Sequence, residues 1–361
     1  MSGPTTTTNF LFTGATGYIG GSVLARFLAH PHAASNKFHF TVLVRDPTKA
    51  EKFRALGGGN VTVVVGSHSD VQLVERLASE TDVVIATADA DDLGAAKATL
   101  TGLRKRHAQS GVAPIFINTS GTGVLSDQAK GMYAGTTVYD DSDADQIEGI
   151  APTASHRDVD LAITAADAEG YIKSYIILPS TIYGLATGLL VDAGLQNPHS
   201  IQVPSLISAA LDRGRAGMVG EGKNLWPNVE IHELADLYTT LYDRIVADAS
   251  TGHGRNGFYF GASREHSLYE VGRAVGAVLV ALRKSEIADP TPFTQAELDK
   301  YFGGSPDLGS NSRCRATRSL SLGWNPVKTT KDLLATIQSE AEAIIENKAE
   351  SAVLKAWTRG R

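Results

Sequence analysis

The sequence predicts an open α/β fold: a doubly wound parallel sheet with a smaller, mostly C-terminal lobe packed on it. Three observations carry that expectation. Short apolar runs rich in Val and Ile alternate with helix-periodic stretches through the first half of the chain. A turn with three glycines, Gly14-Ala-Thr-Gly17-Tyr-Ile-Gly20, joins the first apolar run to the first helical stretch. No internal repeat, low-complexity tract or clear linker divides the 361 residues.

The expected strands are Phe10–Thr13, Phe38–Val44, Val61–Val65, Val83–Ala86, Ile115–Asn118 and Ser174–Leu178. Most are short and continuously apolar, as strands buried on both faces are. The helical stretches between them are Gly21–Ala29, Thr48–Leu56, Val71–Ala78, Leu93–Gln109 and His156–Ala168. After Gly184 the rhythm loosens into loops rich in Gly, Pro and Asn. Helices are expected there at Pro204–Arg213, His232–Asp248, Leu268–Leu282 and Thr330–Ile345, with a returning strand at Gly257–Phe260.

Strand, glycine turn and helix together form the context of a dinucleotide-binding turn. Gly14 permits the tight bend, Gly17 lets the backbone approach a pyrophosphate, and Gly20 lets helix and strand pack closely. The helix start then offers free N–H groups to the phosphates. On this reading residues 1–184, with 220–261 returning to them, form the dinucleotide-binding domain. Residues 185–219 and 262–361 form the smaller, substrate-binding lobe.

Composition sets limits on function. A net charge of −6 argues against a general nucleic-acid or membrane-surface role. The one short basic run, Arg104-Lys105-Arg106-His107, reads as the solvated end of a helix. The single cysteine, Cys314, allows no internal disulfide or cysteine-based metal site and fits a reducing, cytoplasmic setting. His30 and His32 lack a third ligand nearby, so no metal is expected. Met1 to Asn9 is polar and has no signal-peptide pattern, and no apolar run is long enough to span a bilayer.

Several stretches, in the right order along almost the whole chain, resemble the extended short-chain dehydrogenases/reductases. They are Thr13–Gly20, Ile117-Asn-Thr-Ser-Gly-Thr122, Leu178-Pro-Ser-Thr-Ile-Tyr-Gly184, Val229–Asp236 and Leu322-Gly-Trp-Asn-Pro326. The resemblance implies a Rossmann-like sheet and an NAD(P) cofactor. It implies cofactor contacts from Gly14, Thr16, Gly17, Tyr18, Ile19 and Gly20, from Ser67, Ala86 and Thr87, and from Pro179, Thr181 and Ile182. It places a substrate-touching hydroxyl at Ser120 and sets Tyr183 beside the cofactor. Family members often dimerise, so a homodimer is a further expectation.

Arg45 ends the second strand, where NAD binders usually place an acid. A guanidinium there suits a 2′-phosphate, which favours NADP(H) over NAD(H). Asp46 is the alternative, as a partner for a ribose hydroxyl. The third strand ends in Gly66-Ser67-His68, so Ser67, His68 or main chain would meet the adenine.

The family's Tyr-x-x-x-Lys pair is missing. Counting back from Pro179 puts Pro152 and His156 in the two slots, or His156 and Asp160 if the helix is one turn shorter. His156 and Asp160 are four apart, so a shared helix face would let the acid orient the imidazole. Ser120 could polarise a carbonyl oxygen, with His156, Tyr139 or water giving the proton. Tyr133 and Tyr139 lie in one Gly- and Asp-rich loop and suit a pocket-shaping role as well.

Leu225, Trp226 and Met218 suggest apolar walls for a small, moderately apolar substrate. The expected function is an NADPH-dependent reductase of a carbonyl or activated alkene. The alternative is an NmrA-like cofactor-binding regulator without turnover, and the third reading is an epimerase or dehydratase.

Overall fold

A computed structural model describes residues 7–56 and 58–347. The start of the polar leader and the end of the expected second lobe lie outside the described residues. The strands are β1 (Thr8–Thr13), β2 (Phe38–Val44), β3 (Val61–Val65), β4 (Val83–Ala86), β5 (Ile115–Thr119), β6 (Tyr139–Asp140) and β7 (Lys173–Pro179). Then follow β8 (Thr181–Tyr183), β9 (Gly217–Met218), β10 (Leu225–Glu230), β11 (Phe258–Gly261), β12 (Arg264–Ser267), β13 (Thr291–Pro292) and β14 (Cys314–Arg315).

The helices begin with α1 (Tyr18–Leu28), α2 (Pro31–Ala34), α3 (Pro47–Ala55), α4 (Val71–Ser79), α5 (Leu93–Ser110), α6 (Ala144–Glu148) and α7 (Arg157–Ala168). They continue with α8 (Leu189–Asp192), α9 (Gln202–Arg213), α10 (Ile231–Ala247), α11 (Leu268–Ala281), α12 (Gln295–Phe302), α13 (Thr317–Ser321) and α14 (Thr330–Asn347).

Seven strands form one parallel sheet in the order β11-β7-β5-β4-β1-β2-β3. The six strands expected in the first half and the returning strand all lie in it. Strand order reverses between β1 and β4, and the glycine turn stands at the carboxyl end of that crevice. Helices α1 and α10 pack against each other, as do α4 with α5 and α5 with α7. The sheet core is aromatic at one end, where Phe10, Phe12, Phe27, Phe38 and Phe40 make edge and tilted contacts. The basic run on α5 is engaged rather than simply solvated: Arg104 pairs with Glu169, Lys105 with Glu75 and Arg106 with Asp82.

A second apolar core joins α9, α11, α12 and α14 around Ile207, Val271, Phe302 and Ile337. Between the two cores lies a three-stranded sheet, β12-β10-β8. Its middle strand pairs parallel with β8 and antiparallel with β12. The run Leu225–Glu230 contains Pro227 and Asn228, residue types depleted from strands, so no apolar pattern marks it in sequence. Among the described residues no helix is long and apolar enough to cross a membrane.

Candidate active site

The glycine turn is built as a tight cradle. Gly14 has φ +78°, and a Cβ there would meet the Thr87 backbone at 2.6 Å. A Cβ on Gly20 would lie 2.3 Å from the Gly14 carbonyl oxygen and from Thr87 Oγ1. The Thr87 hydroxyl in turn donates to the Thr13 carbonyl at 2.7 Å, tying the end of β4 to the end of β1. Gly17 caps α1 from an extended backbone and is less crowded, with only the Gly14 oxygen near, at 3.1 Å. These features fit a pyrophosphate approaching the start of α1.

The neighbouring residues divide into two groups. Ile19 and Ile182 are half-buried beside Ala186 and Ile231. Thr16 is half-buried, and its carbonyl accepts from Asn197 N–H at 3.0 Å. Tyr18 departs from the expected cofactor contact: its phenol is buried and donates to the Gly184 carbonyl. Burial raises its pKa well above the ordinary value, with Glu340 and Glu230 adding to the effect. This side chain fastens the glycine turn to the loop after β8.

Arg45 is exposed at the end of β2, and no ion pair holds it among the described residues. Asp46 is occupied as the cap of α3, accepting from the Thr48 and Lys49 N–H groups at 2.8 and 3.4 Å. Ser67 is half-buried, and its hydroxyl accepts from Ser69 N–H at 3.2 Å. His68 lies 3.5 Å from Asp92. Ala86 is half-buried at the end of β4. Pro179 ends β7, and the Thr181 hydroxyl donates to Gln202 at 2.8 Å. The Tyr183 phenol donates to the Thr329 carbonyl, and its ring lies in the core of the second lobe.

Beyond the carboxyl ends of the strands opens a cavity of about 850 Å³, lined by residues that include Asp91, Val124, His156, Gln202, Trp226 and Leu308. His156 departs from the expected helix-face geometry. It is the cap residue before α7, with a left-handed φ of +65°, which turns its side chain off the helix. Its Nδ1 lies 2.6 Å from Asp91 Oδ1, and its backbone N–H reaches the same oxygen at 3.2 Å. The orienting acid is therefore Asp91, on the loop after β4, and not Asp160. The imidazole lies against Gly121, where an added Cβ would be 3.1 Å from Nε2.

Asp160 belongs to Ser120 instead. The Ser120 hydroxyl donates to Asp160 Oδ2 at 3.1 Å, and both residues are buried. The other oxygen of Asp160 has no hydrogen-bond partner. Burial pushes the Asp160 carboxyl up to about 7, against the opposing effects of Ser120, His156 and Arg157. For His156, burial favours the neutral ring, but the Asp91 hydrogen bond and the charges of Asp91, Asp160 and Asp89 outweigh it, and its pKa is raised. The hydrogen bond from His156 holds the Asp91 carboxyl below its usual range despite partial burial.

Ser120 is thus behind the cavity wall, while His156 is part of it. Tyr139 is not brought to the cavity: it pairs with Cys314 in the β6–β14 ladder and packs on the sheet core. Tyr133 is exposed. Of the expected apolar walls only Trp226 lines the cavity; Met218 is buried in the second core. Sequence reasoning missed Asp91, although its place just past a strand carboxyl end in Ala88-Asp-Ala-Asp-Asp92 was a usable signal.

Residues 6–103 match the NmrA-like family model. The chain is 27% identical to the oxidase ucsJ of an Acremonium species, over 92% of this chain and 97% of that protein. It is 25% identical to an uncharacterized protein of Schizosaccharomyces pombe, over 91% and 98% of the two chains. Among solved structures it resembles UDP-glucose 4-epimerase of Thermotoga maritima, with 15% identity, TM-score 0.62, and 94% and 100% of the chains covered. It likewise resembles dTDP-glucose 4,6-dehydratase of Streptomyces venezuelae with NAD bound, with 16% identity, TM-score 0.64, and 96% and 100% covered. Residues 6–103 thus resemble the NmrA-like family, and the whole chain has the fold of these epimerase and dehydratase structures.

Proposed function

We propose that the protein is an NADP(H)-dependent reductase of a small, moderately apolar carbonyl or activated alkene, with His156 as its acid. The observation that carries this reading is the Asp91–His156 pair on the wall of the large cavity. Similarity to an oxidase supports oxidoreductase chemistry, and the Gly14–Gly20 cradle fits a dinucleotide. The unpaired Arg45 supports the 2′-phosphorylated form, since Asp46 is committed to capping α3.

A bound reduced nicotinamide supplies a hydride at its ring carbon. The protein must then place a proton on the substrate atom that gains charge. A protonated His156 donates that proton to the developing alkoxide or enolate, and Asp91 holds the ring in position. Ser120, donating to Asp160, keeps the adjoining β5 turn in place behind the cavity wall.

The test is NADPH consumption against a panel of aldehydes, ketones and enones, with NADPH binding followed separately. His156→Gln is expected to lower kcat by ~10²–10⁴-fold while cofactor affinity persists. Turnover that is indifferent to this change rejects the His156 assignment. The absence of the Tyr-x-x-x-Lys pair favours a second reading, a cofactor-binding regulator of the NmrA-like type. That reading predicts NADPH binding with no turnover across the panel. An epimerase or dehydratase is the third reading, and the likeness to those enzymes extends to fold only.

A further inference from the structure

We infer that Gln202 is a specificity-determining residue whose side-chain amide donates to a second carbonyl oxygen of the substrate, apart from the group that is reduced. The cavity therefore prefers dicarbonyl compounds over simple ketones of the same shape. This rests on the assignment of the cavity beside His156 as the substrate site.

The backbone of Gln202 is held in place. The residue opens α9, and Val203, Pro204, Ser205 and Leu206 behind it are all buried. The Ser205 N–H closes the first turn on the Ile201 carbonyl at 2.9 Å. The ring of Pro204 fixes its own φ within that turn. The half-buried Gln202 side chain thus extends from a fixed point.

Its far end is fixed as well. The Thr181 hydroxyl, buried on β8, donates to Gln202 Oε1 at 2.8 Å. Oxygen and nitrogen are the two branches of one planar amide, so holding the first aims the second. Gln202 lines the cavity, and its Nε2 makes no hydrogen bond among the described residues. What it offers the cavity is a donor with its direction set in advance. Gln128 lines the cavity too, but it is exposed, and no hydrogen bond holds its side chain among the described residues. A donor that is already held loses less freedom on binding.

The surrounding wall explains why such a donor matters. The Trp226 indole N–H is spent on the Ser310 carbonyl at 2.6 Å, so the ring gives the cavity an apolar surface. Val124 and Leu308 extend that surface. A flat aromatic or conjugated body suits it. A second carbonyl oxygen on that body loses its water on entry and costs free energy unless a donor meets it. The fixed amide of Gln202 is such a donor, and an isopropyl group in place of that carbonyl leaves the amide unmatched.

The test uses the full chain saturated with NADP⁺, so that no hydride is transferred, and reads probe binding by calorimetry. Two probes carry a second carbonyl, 1,3- and 1,4-diacetylbenzene. Their partners, 3- and 4-isopropylacetophenone, replace one acetyl by an isopropyl group of similar shape. Apolar burial by itself favours the isopropyl partners. With Gln202 as the anchor, at least one diketone is expected to bind ~5–10-fold more tightly than its partner. Gln202→Met keeps the length and loses the donor, so the order should reverse. Gln202→Glu keeps an oxygen for Thr181 but has no donor at about pH 8, so it should lose the preference as well. Thr181→Val frees the amide and should cut the preference to ~2-fold. Thermal melting checks that each variant folds, and NADP⁺ titration checks that each still loads.

Isopropyl partners that bind the parent protein at least as tightly as both diketones overturn the inference, as does no binding of any probe. A diketone preference that survives in folded Gln202→Met or Gln202→Glu, or stands undiminished in folded Thr181→Val, overturns it too. The outcomes separate from those of the proposed function. A diketone preference that Gln202→Met removes, with turnover indifferent to His156→Gln, rejects only the acid assignment. NADPH-dependent reduction with no preference between diketone and partner rejects only the role of Gln202.

Discussion

Asp91 grips His156 twice, through Nδ1 at 2.6 Å and through the backbone N–H at 3.2 Å. One carboxylate thus fixes both the imidazole and the left-handed backbone that carries it. The contact joins the loop after β4 to the start of α7 and makes the ring part of the cavity wall. It also raises the His156 pKa, against the burial that favours the neutral ring.

Removing that carboxylate should change the pH dependence of the reaction. The acid form of His156 is present below its raised pKa and is lost as pH rises through it. In Asp91→Asn the burial that favours the neutral ring is no longer opposed by Asp91, so the pKa falls. The alkaline limb of kcat for reduction should therefore move to lower pH. An unchanged profile would separate His156 from proton transfer.

Two glycines of the turn should behave differently. Gly20→Ala drives a Cβ to 2.3 Å from the Gly14 oxygen, so it should destabilise the fold by ~2 kcal/mol or more. At Gly17 the nearest contact is the Gly14 oxygen at 3.1 Å, so Gly17→Ala should cost less stability than Gly20→Ala. Its methyl instead enters the path of the pyrophosphate and should weaken NADPH binding. Melting curves with and without NADPH distinguish the two effects.

Arg45→Ala tests the choice of cofactor. Loss of a charge-assisted contact to a 2′-phosphate should weaken NADPH by ~10–100-fold and leave NADH nearly unchanged. The Asp46 cap of α3 stays intact in this variant, so the helix should not unravel. Comparable effects on both cofactors would count against the NADP assignment.

Glu340 is fully buried, and one of its oxygens accepts from the Gly184 N–H at 3.3 Å while the other has no partner. Burial pushes its carboxyl from 4.5 up to about 7. A raised carboxyl pKa favours the folded state at low pH, and that advantage is lost as pH rises from 4.5 through about 7. Glu340→Gln keeps the acceptor and cannot ionise. It should stabilise the protein above pH 7 by up to ~3 kcal/mol and change little near pH 4.5, as read from denaturant unfolding.

The parallel sheet was legible because its signals are local. Phe38–Val44 and Val61–Val65 are apolar runs of strand length, and Gly14, Gly17 and Gly20 mark a turn that few other residue types could make. The strand Leu225–Glu230 was not legible, because Pro227 and Asn228 hide it and its partners come from distant β8 and β12. Nor was the tie from the Tyr18 phenol to the Gly184 carbonyl, 166 residues away in the chain, legible, because no local pattern joins the two.

The sequence by itself determined the doubly wound sheet, the tight glycine turn after β1 and the absence of a Tyr-x-x-x-Lys pair at the helix before β7. The tertiary structure alone decided which acid serves which donor. A four-residue spacing paired His156 with Asp160, whereas the folded chain gives His156 to Asp91 and Asp160 to Ser120. The physical reason is the left-handed backbone at His156, which turns the ring off the helix face and toward a loop 65 residues earlier in the chain. Helical periodicity predicts neighbours only within a helix, and this residue stands just outside one.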